Sequence, residues 1–162
     1  MCPSSLPESS QPDQTMKKVV SAASARRSAG MFSWGNIIIM LPGLFFLPIL
    51  FFGTPEKMSS IFMFILMLIP MILWFGLSIA IYIIAKHNPN QRVGYFTQQA
   101  AHRYYATVGF IVVAGTFYGN DVNYWLGTWV IAALILVPLS VRDIFLIKKE
   151  QWFDVEIEGE AS

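Results

Sequence analysis

The chain has one cysteine in 162 residues, at position two. Cys2 allows no disulfide within the chain and no cysteine-based metal site. Histidine is nearly as scarce, with only His87 and His102. No HExxH, no pair of acids inside an apolar run and no Ser-His-Asp set can be assembled, which argues against the common hydrolytic sites and for a chain that is not an enzyme. Charge is sparse as well: Asp, Glu, Lys and Arg make up 13% of the residues, 11 basic against 10 acidic. No Lys/Arg cluster has nucleic-acid character, so no nucleic-acid partner is expected. No internal repeat is evident, and an inverted-repeat transporter is not supported.

What the chain has in excess is apolar sequence, 55% of its residues. It is gathered into four runs, at 31–53, 61–85, 104–118 and 124–141. A bilayer core of about 30 Å needs roughly 20 apolar residues in a helix. The first two runs meet that length without a charge. The third is short and must borrow the AAHR segment before it, with Arg103 reaching back to the headgroups. The runs are apolar all round rather than on one stripe, which suits lipid better than a soluble core. The fold expected is all-α: a polytopic membrane protein whose four transmembrane helices, at about 31–53, 61–85, 100–118 and 124–147, form two antiparallel hairpins.

Basic residues set the expected orientation. Ten of the eleven fall before the first run, between the second and third, or after the fourth, and only Lys57 falls opposite. The positive-inside rule then places both termini in the cytoplasm of a cell whose inner, plasma membrane holds the protein, with a bacterial source expected. The cofactor expectation is none, and the partners expected are the lipid bilayer and either other membrane-protein subunits or further copies of the chain.

Three pieces flank the spans. Residues 1–14 are Pro/Ser-rich and read as disordered. Residues 15–30 are Ala-rich and basic, and read either as an interfacial helix ended by Gly30 or as a solvated tail, so that 1–30 forms one cytoplasmic unit. Residues 148–162 are acidic. Val155 and Ile157 alternate there with Glu, as in an edge strand, but a solvated tail is the expectation for a short terminus.

Few residues can carry chemistry. His87 and His102 map to the cytoplasmic ends of consecutive helices, where interfacial polar roles outweigh a haem or metal pair. Asp143 is the one acid near membrane depth. Arg103 lies within about a helical turn of its level, which makes an Arg103–Asp143 ion pair geometrically accessible. Its shallow depth favours a structural pair over a proton site. Pro42, Pro48, Pro70 and Pro138 should kink their helices. Gly76-xxx-Ala80 and Gly115-xxx-Gly119, with Gly109, read as packing seams, and the third helix as the most buried. Met63, Met67 and Met71 form one stripe of adaptable packing residues.

The cytoplasmic segment between the second and third runs is the richest in residue types. Tyr95, Phe96, Gln98, Gln99, Arg103 and Tyr105 offer aromatic and bidentate groups beside the membrane, the types that anchor interfaces. The function expected is that of a non-enzymatic integral subunit or interaction protein of a larger inner-membrane assembly. The alternatives are an immunity or modulator protein acting on a pore-forming toxin or channel, and a small haem-bearing or metal-bearing oxidoreductase subunit.

Overall fold

A computed structural model of the protein describes residues 17–52, 60–118 and 122–158. The tail 1–14, the turn at 54–59 and Gly119 lie outside them. The described chain is helical: α1 (Ala22–Phe45), a short α2 (Leu47–Phe52), α3 (Ser60–Lys86), α4 (Gln91–Tyr118) and α5 (Val122–Lys149). Two four-residue strands, β1 (Lys17–Val20) and β2 (Val155–Glu158), flank them. Among the described residues three helices are long and apolar enough to cross a membrane, over Ala22–Phe45, Ile65–Lys86 and Asn123–Lys149. The protein is a membrane protein on that ground. With 28 residues α4 is as long as α5, but Arg92, Gln98, Gln99, His102 and Arg103 make its first half polar.

The first span starts earlier than its apolar run. Gly30 does not end a helix; α1 begins eight residues before it. Ser21 supplies the N-cap, its hydroxyl accepting from the Ser24 N–H at 3.3 Å. The helix continues through Gly30 because Ala25 and Ala29 are fully buried, with Val93, Phe96 and Ile147 in the same cluster. Tertiary packing overrides the weak local stop that a glycine provides. The same run is also broken near its far end. Phe46 interrupts it, and Pro48, which has no N–H to give the Leu44 carbonyl, is the second residue of the new helix α2.

The packing pairs fix helix directions. A Cβ on Gly43 would stand 3.0 Å from the Trp129 carbonyl and 3.1 Å from Ala133 Cβ, so α1 and α5 approach closely there. Ala29 and Ile147 share a cluster at the other end, so the two helices are antiparallel. Asn36 bonds the Ala100 carbonyl, while Ala29 clusters with Val93 and Phe96, so α1 and α4 run parallel. Ser78 meets Tyr105 and a Gly94 Cβ would meet the Ala85 carbonyl at 3.8 Å, so α3 and α4 are antiparallel. Both described chain ends therefore lie at the same end of the bundle as the α3–α4 turn.

That end is closed by a strand from the segment read as interfacial helix or solvated tail and by one from the tail expected to be solvated. β1 and β2 pair antiparallel, with Lys17 opposite Glu158, Lys18 opposite Ile157, Val19 opposite Glu156 and Val20 opposite Val155. The 148–162 tail is thus an ordered extension through Glu158. Lys148 and Lys149 belong to α5, and its last turn is finished by the Trp152 indole, whose N–H donates to the Ile147 carbonyl at 2.9 Å. Trp152 also packs on Phe96, ring centres 6.2 Å apart. Asp154 Oδ1 accepts from the Ala22 N–H at 2.6 Å, capping the first turn of α1 with a carboxylate from the far end of the chain.

The cap is testable. Asp154→Ala should cost about 1 kcal/mol, the usual worth of an N-terminal capping carboxylate. Amide exchange in the Ala22–Arg26 turn should quicken about fivefold by the same estimate, with α3 unchanged. Unaltered exchange in that turn would mean that the contact contributes nothing.

Candidate functional site

The spans are mainly apolar, so the buried polar groups mark where the chain has spent specificity. They gather on α1, α3, α4 and α5 toward the end that carries the strands. Asn36 is fully buried. Its amide donates to the Ala100 carbonyl at 3.3 Å, and its Oδ1 accepts from the Trp74 indole at 3.2 Å. One side chain of α1 therefore ties α3 and α4 together. Trp74 is held edge-on by Phe32 and Tyr104, at centroid distances of 5.7 and 6.5 Å. The room for its ring comes from Gly35, where any Cβ would overlap the indole. Ser78 pairs with the Tyr105 hydroxyl at 3.1 Å, and Tyr104 donates to the Met71 carbonyl at 3.4 Å.

Arg103 and Asp143 meet directly, an Arg103 guanidinium nitrogen on Asp143 Oδ2. The Asp143 side chain is 2% exposed and that of Arg103 26%. The pair joins α4 to α5. The second guanidinium nitrogen leans on Gln99 Oε1 at 3.4 Å, one turn away on the same helix. Asp143 Oδ1, Ser33 Oγ and Thr97 Oγ1 are buried without hydrogen-bond partners among the described residues. The layer sets one buried carboxylate against one guanidinium and ties α4 to α5 through them.

The other expected site residues divide. Phe96 is 5% exposed and packs inside, so it is not available to a partner. Its position on α4 puts it on the same face as Val93, Ala100 and Tyr104, a helical spacing that the amphipathic pattern carried and that its aromatic character obscured. Tyr95 is 51% exposed and accepts from Gln99 Nε2 at 2.7 Å. Gln98 is exposed, while Gln99, Arg103 and Tyr105 are half-buried. Tyr95 and Gln98 line a hollow of about 310 Å³ between the end of α3 and the start of α4, with Tyr82 and Lys86.

The glycines divide too. A Cβ on Gly76 or on Gly109 would meet nothing within 4 Å, and Ala80 is exposed. These three are not seams within the chain. The inner seam of α3 runs instead through Met67, Met71, Trp74, Ser78, Ile81 and Ala85, at alternating steps of four and three. Gly76 and Ala80 lie on the other side of the helix, about 180° and about 140° round from the middle of that seam at 100° per residue. Gly115 does make a close contact, its Cβ position being overlapped by the Trp125 ring. Nor is α4 the most enclosed helix: ten of the 24 residues of α1 are buried, against eight of the 28 of α4.

His87 and His102 are both exposed. The His87 ring Nδ1 contacts the Ile83 carbonyl at 2.8 Å, as a helix C-terminus favours. Among the described residues no three His, Cys, Asp or Glu side chains are grouped to hold a metal ion. Sequence reasoning missed Trp74 and Ser78. The signal was there: an indole far from both ends of an apolar run, and the one serine in the stretch 61–85.

Comparison with known proteins gives no further guide: no family model, no curated protein and no solved structure matches this chain.

Removing one partner of a buried ion pair typically costs about 3–5 kcal/mol, more than removing both. Arg103→Leu should therefore lower the thermal midpoint of the detergent-solubilised protein more than Arg103→Leu with Asp143→Leu does. Additive losses in that double-mutant cycle would show that the pair is energetically idle.

Proposed function

We propose that the chain is a non-enzymatic integral membrane subunit that binds other membrane proteins, through the outer face of α3 within the bilayer and the exposed start of α4 beside it. The observation that carries this reading is the Gly76–Ala80 step. A small-xxx-small pair lets two helix backbones approach closely, and here nothing among the described residues occupies the space above Gly76. α3 is also the least enclosed span, 22% buried against 50% for the α1 span and 44% for the α5 span. Tyr95 and Gln98 add polar and aromatic contacts where that helix meets the cytoplasm.

In this reading α4 is the fourth crossing. Its length of 28 residues, about 42 Å, exceeds the bilayer core. Its one deep charge, Arg103, is neutralised by Asp143. Both termini and the α3–α4 turn lie in the cytoplasm, as the basic residues favour, and the membrane is a bacterial inner membrane. The partner is another membrane subunit or a second copy of the chain.

Two experiments test this. In a Cys2→Ser background, cysteines placed at Ser59 and Asn123 should react with an impermeant thiol reagent from outside, and one at Gln91 should not. The reverse pattern would invert the topology. For the interface, Gly76→Leu should leave the unfolding free energy of the purified chain within about 0.5 kcal/mol of the parent, as for a surface site. It should nonetheless abolish recovery of the partner in mild-detergent pull-down, and Tyr95→Ala with Gln98→Ala should weaken recovery. Full recovery of the partner by Gly76→Leu would remove the bilayer interface from the proposal.

A further inference from the structure

The strand-bearing end of the bundle carries a second feature, independent of the partner face. Arg26 and Arg27 on α1 and Lys148 on α5 converge around a hollow of about 330 Å³. Gly30, Ile144 and Trp34 line the rest of its wall. Antiparallel packing of α1 on α5 brings Lys148 to the level of Arg26, because Ala29 and Ile147 already share a cluster. Among the described residues no carboxylate pairs with any of the three cations. Asp154, the acid that reaches this end of α1, is engaged at the Ala22 N–H.

The hollow is chemically two-layered along the helix axis. Cations occupy one level. Gly30 opens the surface one turn further in, and Trp34, 53% exposed, stands about 10 Å beyond Arg27. That step matches the passage from headgroup to acyl chain, the depth at which an indole ring settles. A second hollow of about 530 Å³ adjoins it across Arg27 and Trp34, and adds Ser24 and Ser28. Free phosphate would use the cations and leave the apolar wall empty. A phospholipid uses both.

We propose that this hollow binds an anionic phospholipid, its phosphodiester between Arg26, Arg27 and Lys148 and an acyl chain along Gly30, Ile144 and Trp34. Basic pockets between membrane helices are known to hold such headgroups. The proposal rests on α1 and α5 being membrane-spanning, not on the partner interface, and it is tested on the purified chain alone. A loss of partner recovery leaves it untouched.

The experiment is native mass spectrometry of the full chain in neutral detergent, with phosphatidylglycerol and phosphatidylcholine supplied in equal amounts. Phosphatidylglycerol should be retained over phosphatidylcholine by about tenfold or more, since each basic residue near an anionic headgroup is worth about 1 kcal/mol. Arg26→Gln with Arg27→Gln and Lys148→Gln should erase that preference. Removing three other basic side chains, with Lys86→Gln, Arg142→Gln and Lys149→Gln, should keep it. Gly30→Leu retains every charge but fills the hollow, and should also lose the lipid. Each variant is compared at equal helix content and monodispersity, so that misfolding is read separately. Equal loss in the control triple variant would reduce the effect to diffuse charge. Parental retention by Gly30→Leu would remove the seat, and displacement by millimolar inorganic phosphate would make it a free-anion site; either overturns the proposal.

Discussion

The buried amide of Asn36 is the interaction on which the helix arrangement depends. In lipid the hydrophobic effect does not drive helix against helix, because acyl chains are as apolar as leucine. Association has to come from close packing and from hydrogen bonds that lipid cannot supply. Asn36 provides bonds to two neighbouring helices at once, through Trp74 and the Ala100 carbonyl. Gly35 and Gly43 provide the packing, one by admitting the Trp74 ring and the other by admitting the α5 backbone. α1 is central because its one buried amide and its two close glycine contacts reach all three of the other long helices.

The Arg103–Asp143 pair does for α4 and α5 what Asn36 does for α1, α3 and α4. It also explains how a helix with a polar first half keeps company with three apolar ones. The guanidinium is spread between Asp143 and Gln99, and the acid is almost wholly enclosed. A single charge of either sign at that level would be expensive. The pair carries no net charge, so the helix interface tolerates it and gains orientation from its geometry.

The strand-bearing end is held by different physics. There water competes for every hydrogen bond, and the gain comes from burying Phe96, Val93 and Trp152 together with Ala25 and Ala29. The ribbon joins chain ends of opposite charge, and its register sets Lys17 against Glu158 and Val19 against Glu156. Closing the bundle there leaves the outer side of α3 and the basic hollow between α1 and α5 open. The first is apolar, with large side chains around the Gly76–Ala80 step, and the second is cationic.

By itself the sequence determined the membrane character, the helical content and the reach of Arg103 toward Asp143. Run length against bilayer thickness decides the first two, and a rise of 1.5 Å per residue the third. The outward face of Gly76 and Gly109, the burial of Phe96 and the pairing of β1 with β2 were decided only in three dimensions. A glycine's spacing is the same whether it faces a neighbour or lipid, so pattern could not tell the two apart. An aromatic residue beside the membrane reads alike as anchor or as core. Strands of four residues from opposite ends of the chain are each too weak to declare themselves, and only the helices that bring them together make their pairing favourable.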